Sequence, residues 1–336
     1  MRARAAVQLV GLALLTLSCR GPSPDAVPWA RSTASGPSER WGQAAAHDRA
    51  ENRMLLFGGE WRRGQLADLW SLELEAMTFE RLEPTGELAP SPRSDMANVL
   101  DERRRRWILI GGRVGFDTSQ SEVWSLDLET HAWARLPDLP APRHDIQAAT
   151  DGRRAWIFGG TGMLFQSTDE LWELDLEADA WRVLPTGAER PTARTSYAIA
   201  AHGGFVYVHG GHDVVRAFSD TWRYDLAGGT WEQLEVDGAA AANAHPAVAF
   251  DAECGALVTS GGDNLDNFTV GLTEVLTLGS RPRFTRLPAS MLPPPRDHAS
   301  LVIDSDRRLL LFGGGALGDG LETRDDLWVR PLGGCL

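Results

Sequence analysis

Between Ala141 and Pro185 the apolar and polar residues fall into four short runs. Ile146 to Thr150 is rich in small residues, and Asp151-Gly152 follows as a tight turn, because Gly takes a positive φ without a side-chain penalty. Ala155 to Phe158 is apolar throughout, as in a strand covered on both faces. Gly159-Gly160 stops that run and a loop follows. Glu170 to Leu176 then alternates with period two, and a turn at Glu177 to Asp179 leads into Trp181 to Leu184. The pattern predicts four short strands forming one sheet. A single sheet of this size cannot bury both faces, so it needs neighbours.

The neighbours are present along the chain. Gly-Gly pairs begin at Gly58, Gly111, Gly159, Gly210, Gly261 and Gly313, at intervals of 48 to 53 residues, and each follows an apolar run. Downstream stand an acidic residue, an apolar residue and a Trp, at Trp70, Trp124, Trp172, Trp222 and Trp328. Nine residues after the first four of these comes a second aromatic: Phe79, Trp133, Trp181 and Trp231. The fifth copy is the weakest, with Leu276 expected in the Trp place and Phe284 eight residues later. A period near 50 with a diglycine and paired aromatics resembles the kelch repeat, over Trp29 to Leu332. The resemblance implies an all-β fold, a six-bladed kelch β-propeller. The sixth copy ends at LWVRPLGG, short of its outer strand, while PWARSTASG at the other end is similar to AWARLPDLP at Ala132 to Pro140. Trp29 is therefore expected in the outer-strand aromatic position, with an N-terminal strand closing the last blade and removing its free edge.

Composition refines this picture. A chain of 336 residues suggests two domains, but closed all-β folds run long as one. The formal charge of −13 argues against a nucleic-acid partner. Residues 1–18 read as a signal peptide: Arg2 and Arg4, the apolar run Ala5 to Leu17, then Ser18-Cys19. That run is too short to span a membrane as a helix. LTLSC is similar to a bacterial lipobox, with Thr16 where Leu is commonest, so Cys19 is the expected lipidation site. Residues 19–28, with three Pro, read as a tether, and 29–336 as the propeller. The expected setting is a bacterial cell envelope, reached by export, with contact to the membrane through the lipid anchor. Cys254 and Cys335 remain as a pair; they are expected on the same face of adjacent blades, as two free thiols.

Candidate chemistry is concentrated where the inner strands begin. Arg40, Arg93, Arg143, Arg194 and Arg296 recur at one repeat position, and Ala244 is read as the sixth. Kelch propellers usually bind ligands on the face holding these residues and the loops after each diglycine. The resemblance thereby adds Trp61, Arg62, Arg113, His212, Arg216, Asp263 and Asn264. Five guanidiniums at one mouth would favour a carboxylate or other anion, or each Arg braces the loop of its own or the next blade. The run His209 to Asp213 surrounds a diglycine that every copy carries, with His209 in an apolar strand slot, and the run Asp263 to Asn267 lacks the spacing and distal Glu of an EF-hand loop, so no metal or other cofactor is expected. Arg103 to Arg106 sits in a hairpin and reads as a solvated turn. Copper-radical oxidases share the propeller but need residues missing here. The function expected is a non-enzymatic binding protein offering its funnel to a protein or glycan, the ligand being anionic if the arginines face it. The alternative is an enzyme acting on an acidic sugar, resembling kelch sialate mutarotases. Asp95, Asp145, His144 and His298 are its candidate acids and bases.

Overall fold

The computed structural model describes residues 28–335, except 63, 117, 239, 241, 266–268, 270, 289–291 and 317–321. The leader, Cys19 and most of the tether lie outside the described residues. Six four-stranded antiparallel sheets stand in a ring. The first runs Ala44–Asp48, Arg53–Phe57, Leu69–Glu73 and Thr78–Leu82 from the axis outward. The other inner strands are Ala97–Asp101, Ala148–Thr150, Ala198–His202, Ala247–Asp251 and Ser300–Ile303. They begin with Ala or Ser because inner strands crowd the axis. In the third blade the inner strand starts at Ala148, two residues later than the pattern predicts. The second strands, among them Arg106–Ile110 and Arg154–Phe158, are almost wholly buried between neighbouring blades. This matches their unbroken apolar runs.

The ring closes as expected. Ala30–Arg31 pairs with Leu327–Pro331, with Ala30 opposite Val329 and Arg31 opposite Trp328. Ser32 N–H extends the ladder to the Leu327 carbonyl at 2.8 Å. Trp29 is fully buried in a cluster with Leu309, Leu311 and Leu332. Among the described residues no helix is long and apolar enough to cross a membrane.

Three expectations are corrected. In the fifth blade Leu276 faces Phe284, as Leu72 faces Phe79 in the first blade, so Leu276 is not in the Trp place. Glu274 occupies it, opposite Arg286, and the two form an ion pair of 2.9 Å. Cys254 and Cys335 are not free thiols but a disulfide, with Cα atoms 5.3 Å apart. The tail beyond Pro331 returns across the hairpin turn of the fifth blade, and this brings together two cysteines 81 residues apart. The basic run is more than a solvated turn. Arg105 reaches Asp48 of the first blade at 2.5 Å, and Arg106 reaches Asp179 of the third at 2.7 Å. Loops on the face opposite the diglycines are thus clamped across three blades.

Candidate functional site

Each diglycine ties its blade to the next. The N–H of its second glycine donates to the carbonyl of the residue that leads into the next inner strand. Gly59 donates to Arg93, Gly112 to Arg143, Gly160 to Arg194, Gly211 to Asn243, Gly262 to Arg296 and Gly314 to Arg40, at 2.7 to 3.0 Å. The contact is too close for a side chain: a Cβ on Gly160, whose φ is +93°, would stand 2.2 Å from Ile146 Cγ2. The series also corrects the register at the fifth blade, where Asn243 and not Ala244 is the counterpart of the arginines.

The arginines point into the protein. Arg40, Arg93, Arg194 and Arg296 are essentially inaccessible to solvent. Arg40 donates to the Gly58 carbonyl at 3.0 Å and grips Asp68 with both terminal nitrogens at 2.6 and 2.8 Å. Arg194 holds Gly210 and Asp220, Arg296 holds Gly313 and Asp326, and Arg93 holds Gly111 and Glu122 in the same manner. The same carboxylates accept the indole N–H of the repeat tryptophans, for example Trp70 to Asp68 and Trp222 to Asp220, both at 2.7 Å. Burial alone would raise the pKa of Asp68, Glu122, Asp220 and Asp326, but the hydrogen bonds from arginine outweigh it and hold each below the usual range. Arg143 is the variant, bonded to Glu170 at 2.7 Å and stacked on Trp172. Of the two roles left open by the sequence, these contacts are those of braces. The guanidiniums are committed to their own blades and do not gather at the mouth.

What gathers there stands two residues further along. Gly42, Asp95, Asp145, Ser196, His245 and His298 all have φ between 48° and 65°. Around the axis, backbone N–H groups link five of the six neighbouring pairs: Asp95 to Gly42, Asp145 to Asp95, Ser196 to Asp145, His298 to His245 and Gly42 to His298, at 2.8 to 3.0 Å. Such a conformation is uncommon for residues with a side chain, and here it brings Asp95, Asp145 and His298 to the opening, while Gly42 adds no side chain. His245 and His298 stack with centroids 4.0 Å apart. His245 Nδ1 meets Asp263 at 2.7 Å, and its Nε2 lies 3.1 Å from His212 Nε2. Burial disfavours the charged His298 ring. The hydrogen bond with Asp297 and the charges of Asp297, Asp95 and Asp145 outweigh it, lifting the pKa to about 9. Burial likewise works to raise Asp145. The nearby His144, His245, His298 and Arg113 reverse that and hold it below the carboxylate range.

Above the ring opens a funnel of ≈ 470 Å³ whose walls include Trp41, His144, Thr161, Thr195 and Asp213. Of the residues singled out from the sequence, Arg113 and His212 line it, and so do the candidate acids and bases Asp95, Asp145, His144 and His298. Arg113 is shared between Glu60 at 2.7 Å and Asp95 at 3.1 Å. Asp263 is fully buried beneath His245, and Trp61 stands aside on a short hairpin, its indole donating to Glu39. Arg62 and Arg216 are exposed, the latter over Phe218. His209 belongs to another environment: its ring is buried against Thr221, and burial drives its pKa down to about 4. The rim was not foreseen. Phe116, Met163, Leu164, Phe165, Val214 and Val215 project from the diglycine loops of blades two to four, each more than half exposed. Leu164 and Phe165 also hold positive φ values of 60° and 56°, unusual for large side chains. The available signal was apolar residues in loops that should be polar.

A closed ring of six blades, with loops converging on one funnel, defines a β-propeller of the kind that binds at its loop face. Residues 23–138 and 106–314 match the KLHDC2/KLHL20/DRC7 Kelch-repeats domain, and the chain belongs to the kelch-repeat family. It is 32% identical over 143 residues to acyl-CoA-binding domain-containing protein 4 of Arabidopsis thaliana, covering 41% of this chain and 21% of that one. It is also 28% identical over 152 residues to an F-box/kelch-repeat protein of the same plant, covering 42% and 31%. The chain thus spans less than a third of the length of these relatives. Kelch propellers generally bind protein partners, and an interaction role is the function class that the family carries.

Proposed function

We propose that the protein is an exported, lipid-anchored interaction module of a bacterial cell envelope that binds a peptide segment of a partner protein across the funnel mouth. The observation that carries the binding reading is the apolar rim. Exposed apolar patches beside a polar cavity are typical of protein interaction sites. Below the rim, the carboxylates of Asp95, Asp145 and Asp213 outnumber Arg113 and the charged His298 beside them, and Arg113 is further shared with Glu60. The floor therefore suits a neutral or basic segment better than an anion. An acidic sugar would lack the arginine cluster that motivated it. Random peptides displayed on phage and selected on the purified protein should yield apolar sequences. These should bind the triple variant Phe116→Ser, Phe165→Ser, Val214→Ser at least tenfold more weakly, without loss of melting temperature. Selected peptides that bind the variant as well as wild type would refute the rim as the docking surface.

The export reading is supported by the Met1 to Cys19 pattern and by the disulfide, since disulfides persist in oxidising compartments. Cys19→Ala should move the protein from the membrane fraction to the soluble fraction of a bacterial host. A wild-type chain already soluble after export would contradict the anchor.

A further inference from the structure

Asp95, Asp145 and His298 occupy three of the six axial ring positions, and one donor atom of each lies within 4.8 Å of the others. Each residue has one donor atom held from behind. Asp95 Oδ2 accepts from Ser94 Oγ at 2.9 Å and from Arg113 at 3.1 Å. Asp145 Oδ2 faces Thr161 Oγ1 at 3.5 Å and His144 Nε2 at 3.6 Å. His298 Nδ1 is fixed by Asp297 at 3.1 Å. Among the described residues nothing hydrogen-bonds Asp95 Oδ1, Asp145 Oδ1 or His298 Nε2. The side chain of Asp95 is 96% buried, yet that oxygen is left without a partner. It leans over Gly42, the ring residue between Asp95 and His298, where a Cβ would stand only 2.3 Å away. Glycine at 42 thus keeps the gap between carboxylate and imidazole clear.

We propose that these three side chains bind a divalent transition metal, with its remaining coordination positions open to the funnel. A carboxylate behind the ligating imidazole and hydrogen bonds behind the ligating carboxylates are the outer supports that metal sites use. Two oxygens and one nitrogen suit Zn²⁺ or its neighbours rather than Ca²⁺ or Mg²⁺, which take all-oxygen shells. Three protein ligands are one fewer than a closed structural zinc site has, which leaves room for a ligand entering from the mouth. The ligands must draw in from their present spread to bond lengths of about 2.0–2.2 Å. Side-chain rotation allows that, and the charged His298 would release its Nε2 proton to solvent as the metal binds. The inference does not depend on the rim, because it concerns only the axial ring.

The test uses the full chain stripped with EDTA. Titration with Zn²⁺ by calorimetry, and with Co²⁺ by visible absorption, should show one equivalent bound. Asp145→Asn and His298→Gln should each weaken uptake at least tenfold. A wild-type readout guards against variants that fail to fold. Substoichiometric Mn²⁺ should broaden the ring protons of His298 before those of His131, which sits in an outer hairpin turn. No uptake by wild type, uptake unchanged in both variants, or equal broadening at the two histidines would overturn the site.

Discussion

Arg194→Ala is expected to destabilise the propeller by about 3–5 kcal/mol, the range for removing one partner of a buried ion pair. The guanidinium is fully buried and makes four hydrogen bonds: to the Thr192 and Gly210 carbonyls, each at 3.0 Å, and to Asp220 at 2.6 and 3.0 Å. It also lies over the Phe218 ring at 4.1 Å. Alanine would strand the carboxylate and two carbonyls at once. Water reaches part of Asp220, whose side chain is 23% exposed, which favours the lower end of the range. Arg194→Lys keeps the charge but loses the planar fork, so it should recover only part of the loss.

The fifth blade shows how the same position is built without the pair. There Asn243 donates to the Gly261 carbonyl at 2.8 Å, Leu272 replaces the acid, and Glu274 replaces the tryptophan. All three members of the brace change together, as expected if a half-removed ion pair is worse than none. Arg194→Asn combined with Asp220→Leu should therefore be more stable than Arg194→Ala by at least about 1 kcal/mol, a coupling of the size seen for residues in one network. Urea unfolding of the variants would measure it. If Arg194→Ala unfolds at the wild-type midpoint, the arginines are not braces, and their place in the repeat needs another cause.

The parts of this molecule that were readable from sequence are those that repeat. The diglycines, the apolar second strands and the tryptophans set the blade count, because six copies in phase average out local ambiguity. The match of Trp29 to Trp133 revealed the closing strand for the same reason. Errors came where a copy degenerates. Ala244 and Asn243 are both compatible with the spacing to Gly261. Only the four-residue step to the start of the inner strand that four other blades share, as from Arg40 to Ala44 or Arg194 to Ala198, selects Asn243 through Ala247. That one-residue shift also concealed His245, and with it the histidine stack. The direction of the arginines was undetermined, because recurrence fits a funnel and a brace equally well. Their acids, two residues before each tryptophan, were visible but not connected to them, since the contact spans 26 to 30 residues. The disulfide depends on how the tail folds back, and nothing periodic encodes that. Asp95, Asp145, His144 and His298 were named as channel candidates. Asp95, Asp145 and His298 converge through a shared left-handed backbone that only the three-dimensional ring makes evident, and His144 follows as the neighbour of Asp145.

Closure of the ring can be tested at a single residue. Trp29→Ala should destabilise the protein by about 3–5 kcal/mol, as for other fully buried tryptophans. The side chain is packed among Leu301, Leu309, Leu311 and Leu332, at the seam between the fifth and sixth blades. Among the described residues its indole nitrogen has no hydrogen-bond partner, so the ring contributes by volume and apolar area rather than by polar contacts. Trp29→Phe should accordingly be far milder, below about 1.5 kcal/mol, because it keeps an aromatic ring and loses no hydrogen bond. Deleting residues 26–33 should exceed the alanine variant. It removes the same side chain and also the pairing of Ala30 and Arg31 with Val329 and Trp328. The strand Leu327–Pro331 would then present an unpaired edge, and the deleted protein should self-associate as well as melt early. Thermal melts with light scattering would report both effects. A deletion variant that melts within about a degree or two of wild type and stays monomeric would show that the N-terminal strand does not hold the ring closed.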